Sequence, residues 1–133
     1  MKRLFLSLLI AGLPGAALAQ QPAGDAAKGE QIFKTCHICH DVGPTAKPKV
    51  GPPLNGVVGR HWASWPGYSY SQGLKDGKTK GNVWTVELLN KWLENPRALV
   101  PGTKMIFPGL KTAEQRADVI AYLSQFDEKG NKK

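Results

Sequence analysis

The sequence predicts an all-α fold. Three observations carry this: apolar residues recur at offsets of three and four in separate segments, no segment alternates apolar and polar residues as a half-buried strand does, and glycine and proline crowd the stretches between. The chain has 133 residues and a formal net charge of +8. Its first nineteen read as an export signal, with Lys2 and Arg3 as a positive n-region, Leu4 to Leu13 as an apolar run and Ala17-Leu18-Ala19 as a small-residue cleavage site. That run is too short to cross a bilayer of about 30 Å, and no later run approaches the required ~20 apolar residues. Cleavage before Gln20 is therefore expected to release a soluble periplasmic chain, residues 20–133, with sixteen basic side chains against ten acidic, a charge of +6. These 114 residues suit a single domain and a monomer. Twenty-two of them are glycine or proline, 19% against an average near ~12%, which predicts long loops.

Asp25 is a candidate N-cap for a first helix, and Ile32, Phe33, Cys36, Cys39 and His40 share its face. Gly29 within it is either a tolerated weakness or a point of close approach. From Val42 to Pro66 punctuation interrupts every period, and such loops need something to pack on. A short helix is expected over Tyr68 to Leu74, followed by a polar turn from Asp76 to Asn82. Thr85 caps a helix with Leu88, Leu89, Trp92 and Leu93 on one side and a Glu87–Lys91 pair outside, and Pro96 stops it. Pro101 to Leu110 is bracketed by two Pro-Gly pairs and reads as irregular. Thr112 and Gln115 form a capping box for a last helix, with Val119, Ile120, Leu123 and Phe126 inward. The tail, 127–133, is expected to fray.

Cys36-His37-Ile38-Cys39-His40 is the C-x-x-C-H pattern of covalent c-type haem attachment. Positions i, i+3 and i+4 share a helical face, so two sulfurs reach the edge of a macrocycle while the imidazole reaches its iron. Three alternatives compete: a thioredoxin-like redox pair, which needs a neighbouring βαβ pattern; a zinc site, which needs further ligands; and a plain structural disulfide. Outside the signal, Met105 is the lone methionine. A lone methionine ordinarily fills core, but beside this motif its Pro/Gly-bracketed loop makes it the candidate sixth ligand. His61 follows Arg60 in a polar loop and His37 lies between the two attachment points, so both are expected at the surface.

GDAAKGEQIFKTCHICH, KVGPPLNGVVGR, PGYSYS, WTVELLNKWLENP, PGTKMIFPGL and ADVIAYL, in that order, resemble the class I cytochromes c, namely the small soluble bacterial members similar to mitochondrial cytochrome c. The resemblance runs from Gly24 to about Phe126. It implies four to five helices with long loops wrapped around one covalently bound haem c. It implies that Pro52 orients the His40 imidazole, that Arg60, Tyr70 and Trp84 meet a buried propionate, and that Thr103 lies beside the other. Gly29 and Phe33 would meet Val119 and Tyr122 where the first and last helices cross. Lys34, Lys49, Lys104 and Lys111 would ring the exposed haem edge. An ordinary core role for Trp84, and a solubilising one for each lysine, are the alternatives. The chain departs from the pattern at Trp92, where relatives usually carry a tyrosine bonded to the methionine sulfur, at Leu74, often an asparagine, and around Lys75 to Lys80, which is longer.

With His40 and Met105 both on iron, no coordination site is open to substrate. The function expected is one-electron carriage in respiration or photosynthesis, not catalysis. The positive charge suits acidic docking surfaces of redox partners such as a cytochrome bc complex, a terminal oxidase, a reaction centre or a periplasmic dehydrogenase. Export separates the chain from nucleic acid. Two rival classes are a haem enzyme or gas binder, which requires Met105 off the iron, and a permanently docked subunit, which requires an apolar patch such as Trp62 with Trp65.

Overall fold

The computed structural model describes residues 22–133, and the expected export signal, 1–19, lies outside the described residues. α1 runs Ala26–Cys36, its start set by Asp25, whose carboxylate accepts from the N–H groups of Ala27 and Lys28. α5, Ala113–Ser124, starts at Thr112, whose hydroxyl accepts from Gln115 N–H at 3.1 Å. The two helices cross at Gly29, where a Cβ would stand 2.0 Å from the Asp118 carbonyl oxygen and 2.9 Å from Tyr122 Cβ. Close approach is thus why glycine stands there. Phe33 meets Tyr122 at 5.3 Å between ring centroids, and Val119 is fully buried beside them. Asp25 N–H donates to Asp118 Oδ1 at 2.7 Å and pins the start of α1 to α5.

α2 spans Gln72–Thr79, not the expected Tyr68 to Leu74, and absorbs most of the supposed polar turn. Tyr68 and Tyr70 pack edge to face at 4.8 Å outside it. Gly77, which reads as punctuation, lies within α2 because Trp62 occupies the space of its side chain; a Cβ there would stand 2.1 Å from Trp62 Cε3. α3, Val86–Glu94, is capped by Thr85, buries Leu89, Trp92 and Leu93, and carries Glu87 and Lys91 paired at 3.0 Å. Pro96 does more than stop it. It opens a one-turn helix, α4, Pro96–Leu99, with Asn95 accepting from Ala98 N–H, since proline at the first helical position gives up only a donor that has no partner there.

The segment after α4 returns along α3: Leu110 N–H donates to the Leu93 carbonyl at 2.8 Å. Buried Arg116 on α5 secures it, bonding Asn90 Oδ1 and the Leu110 carbonyl at 2.7 Å each. The tail, 127–133, expected to fray, is a closed turn. Asp127 accepts from Lys129 and Asn131 N–H, Lys133 N–H donates to the Gln125 carbonyl, and Gly130 is buried. The aspartate side chain supplies acceptors that the free chain end lacks. Among the described residues no helix is long and apolar enough to cross a membrane, and β-structure is limited to two isolated bridges, His61 with Val83 and Phe126 with Lys132.

Candidate cofactor site

The helices and loops enclose a cavity of about 430 Å³. α1 delivers Cys36 to its wall, and the Cys36 carbonyl then accepts from both Cys39 N–H (3.0 Å) and His40 N–H (2.9 Å). That continued turn keeps the two thiols and the imidazole on one face although the helix itself has ended. Both cysteines are free and half-buried, and burial pushes the Cys36 thiol up. The three alternatives to haem attachment find no support: the thiols are unjoined, no βαβ unit is present among the described residues, and no group of three or more His, Cys, Asp or Glu there is arranged to hold a metal ion.

His40 Nδ1–H donates to the Pro52 carbonyl at 2.7 Å. That bond assigns the proton to Nδ1 and leaves the Nε2 lone pair free. Burial holds the imidazole below its ordinary pKa, with Lys49 and Arg60 adding to the effect and the Pro52 bond opposing it. The neutral imidazole is therefore favoured. Gly51 makes room for the ring, since a Cβ there would stand 2.3 Å from His40 Cε1.

Met105, 65 residues beyond His40, lines the same cavity. Its backbone N–H donates to Thr103 Oγ1 at 3.2 Å, and Thr103 also lines the wall. Arg60, Tyr70 and Trp84 stand on that wall too. The Arg60 guanidinium donates to the Asn55 and Pro53 carbonyls at 2.6 and 3.1 Å, while its Nε is buried without a partner. Tyr70 accepts from Trp65 N–H at 3.0 Å and burial pushes its pKa up, so it keeps a proton to donate. Trp84 stacks on Trp62 at 4.6 Å and tilts against Trp92 at 5.2 Å.

Ser71, which the sequence reading missed, also lines the cavity, and its buried hydroxyl has no partner. Unpaired buried donors are costly. Those of Arg60 and Ser71 call for an acceptor, and a carboxylate brought in by the cofactor suits them. With two thiols, an imidazole and a thioether on a mainly apolar wall that also carries these polar donors, the residues fit a covalently attached haem. The signal for Ser71 was its place directly after Tyr70, but only burial separates it from an ordinary loop serine.

The four lysines are placed differently from one another. Lys104 lines the cavity and donates to the Ser69 carbonyl and hydroxyl. Lys49 bonds the His37 carbonyl and lies 3.5 Å from the Asp41 carboxylate. Lys34 bonds Gln31 on α1, and Lys111 lines a separate groove beside α3 and α4. Exposed Ile38, Val50 and Ile106, which the sequence reading passed over, form an apolar rim on the cavity. His37 and His61 are at the surface as expected. Trp62 is core and Trp65 is half-buried under Arg60, so they do not form the exposed patch that a docked subunit needs.

A helical chain wrapping such a wall around a C-x-x-C-H turn defines a class, the small covalent haem proteins. The chain belongs to the cytochrome c family, whose model matches residues 26–127. It is 52% identical over 124 residues to cytochrome c2 of Rhodomicrobium vannielii, covering 93% of this chain and 96% of that one. It is 44% identical to cytochrome c2 of Blastochloris viridis over the full length of both. The solved structure of cytochrome c2 from Rhodospirillum centenum aligns with a TM-score of 0.74 at 40% identity, covering 78% of this chain and 99% of that chain. The cofactor is thus haem c, covalently bound, and the protein is an electron carrier that acts with redox partners, not an enzyme.

Proposed function

We propose that this chain is a periplasmic carrier of single electrons whose iron takes His40 and Met105 as axial ligands. The observation that carries this reading is that His40 and Met105, far apart in sequence, line one cavity with both cysteines. When bound, the haem supplies an iron that alternates between ferric and ferrous by gaining and losing one electron.

The protein's residues set where and how readily that happens. Cys36 and Cys39 hold the macrocycle through thioether bonds. The Pro52 carbonyl orients the His40 ring and raises its basicity. The Met105 thioether is neutral and soft and favours the ferrous state, and the apolar enclosure acts in the same direction by penalising the extra ferric charge. Arg60, Tyr70, Ser71 and Trp84 would hold one propionate of the cofactor, and Thr103 would meet the other. With His40 and Met105 both holding the iron, substrate would find no open coordination site, and the chemistry supplied would be one-electron exchange. The apolar rim of Ile38, Val50 and Ile106 meets a partner whose acidic surround faces Lys34, Lys49, Lys104 and Lys111. That partner is a cytochrome bc complex, terminal oxidase, reaction centre or periplasmic dehydrogenase.

The test is the visible and far-red absorption of the exported protein, oxidised and reduced, with carbon monoxide added to the reduced form. Sharp low-spin bands, a weak far-red sulfur-to-iron band and no response to carbon monoxide are expected. A high-spin spectrum that shifts with carbon monoxide would overturn the ligation and favour a gas binder or haem enzyme. Met105→Ala is expected to lower the potential and open the iron to carbon monoxide; an unchanged potential would remove Met105 from the iron.

A further inference from the structure

The Pro52 carbonyl that meets His40 belongs to a segment, 41–56, with no helix or strand to hold it. Pro52 and Pro53 are consecutive and carry no backbone N–H. Their own hydrogen bonds therefore run only through their carbonyls, and beyond the packing of the fully buried Pro53 ring their placement depends on the residues on either side. Before them, Gly51 N–H donates to the Cys39 carbonyl at 2.8 Å; after them, Leu54 N–H donates to the Asp41 carbonyl at 2.8 Å. Arg60 takes the Pro53 and Asn55 carbonyls.

One side chain closes the segment on itself. Asn55, 3% exposed, accepts from Gly43 N–H through Oδ1 at 2.9 Å and donates from Nδ2 to the Gly43 carbonyl at 3.0 Å. A single amide thus satisfies both polar groups of one backbone residue twelve positions away. Gly43 presents them from φ +125°, a conformation open to glycine. The C-terminal turn lies over this pair: a Cβ on Gly130 would stand 2.1 Å from the Gly43 oxygen and 2.6 Å from Asn55 Nδ2. Both bonds are buried.

We propose that Asn55, covered by the Gly130 turn, is a positioning residue that holds the Pro52 carbonyl on His40 and so tunes the iron through the imidazole. This rests on the reading of His40 as an axial ligand. Asn55 does not line the cofactor cavity, and it acts through the placement of Pro52. Loosening it weakens the Nδ1–H bond, reduces the electron density the ring gives to ferric iron, and raises the potential.

The test uses the haem-loaded full chain. Proton NMR of the ferric protein reads the hyperfine-shifted His40 Nδ1–H and its exchange with water, beside the potential and the melting temperature. Asn55→Ala is expected to speed that exchange about tenfold, roughly the worth of one hydrogen bond, and to raise the potential. Gly130→Ala should move both in the same direction. Asn55→Ser, which keeps a neutral polar side chain but cannot span both Gly43 groups, should move exchange in the same direction and serves where Asn55→Ala does not load. Thr85→Ala, a helix-cap change outside the segment, should lower the melting temperature without changing exchange. If the Asn55 and Gly130 variants lose stability but retain wild-type exchange and potential, Asn55 is purely structural and the proposal fails. If the wild-type His40 Nδ1–H shows no hyperfine shift, the ligand reading itself fails, a separate result.

Discussion

Gly51 has no side chain because His40 needs the space. Gly51→Ala places a methyl 2.3 Å from His40 Cε1, so the ring must turn away from Pro52 or the loop must shift. The expected outcome is a loss of about 1–3 kcal/mol of stability and a changed low-spin spectrum, read by guanidinium unfolding and visible absorption. Ser71 offers a complementary test. If its hydroxyl serves the cofactor carboxylate, Ser71→Ala costs the loaded protein about 1–3 kcal/mol, because the carboxylate loses a buried donor; an unchanged unfolding midpoint would show that the hydroxyl has no such partner. At this scale the C-x-x-C-H turn and Met105 were legible because chemistry that rare needs few residues. Ser71 and Arg116 were not, since their importance lies in being buried, which no residue type announces.

Caps and crossings set what the helices tolerate. Thr85 accepts from Leu88 N–H at 3.1 Å, and Thr85→Ala should cost about 1 kcal/mol by thermal unfolding. Gly29→Ala should cost more, because the added methyl meets the Asp118 backbone at 2.0 Å and α1 and α5 must separate. In the C-terminal turn, backbone donors led by Asn131 hold the Asp127 carboxyl below its ordinary value of 3.8. A depressed carboxyl stabilises the turn while ionised, in full above its unfolded value and progressively less as pH falls through the folded one. Amide exchange at Gly130 and Asn131 should therefore be protected near neutrality, and that protection should disappear as the solution is taken below about pH 4; protection retained at pH 2 would show that the carboxylate is not the fastener. The three helices with caps and periodic apolar faces were legible. α2 was displaced because Gly77 reads as a breaker until Trp62 is seen above it, and α4 was missed because Pro96 reads equally as a stop and as a start.

The whole molecule is built around a space that its own side chains do not fill. At about 24 cal/mol per Å³, leaving 430 Å³ empty would cost up to about 10 kcal/mol, comparable with the ~5–15 kcal/mol stability of an entire domain. The doubly substituted Cys36→Ser, Cys39→Ser chain, which cannot attach haem, should therefore lose most of its helical circular dichroism at 25 °C; a native-like spectrum would mean that the loops pack without the cofactor. Charge acts at the same scale. Residues 22–133 carry sixteen basic against ten acidic side chains, so electron exchange with an acidic partner should slow as salt rises toward 0.5 M, by about ten-fold or more. A rate independent of salt would assign docking to the apolar rim of Ile38, Val50 and Ile106 alone.

By itself the sequence determined the fold class, the attachment turn, the candidate ligand pair and the caps of three helices, because each depends on short spacings that local backbone geometry converts directly into a shared face or a satisfied donor. Only the tertiary structure decided that Gly77 lies inside a helix beneath Trp62, that the tail is a fastened turn, and that Ser71 and Asn55 are buried. Those outcomes depend on which distant segments meet, and burial, unlike spacing, is a property of the assembled chain.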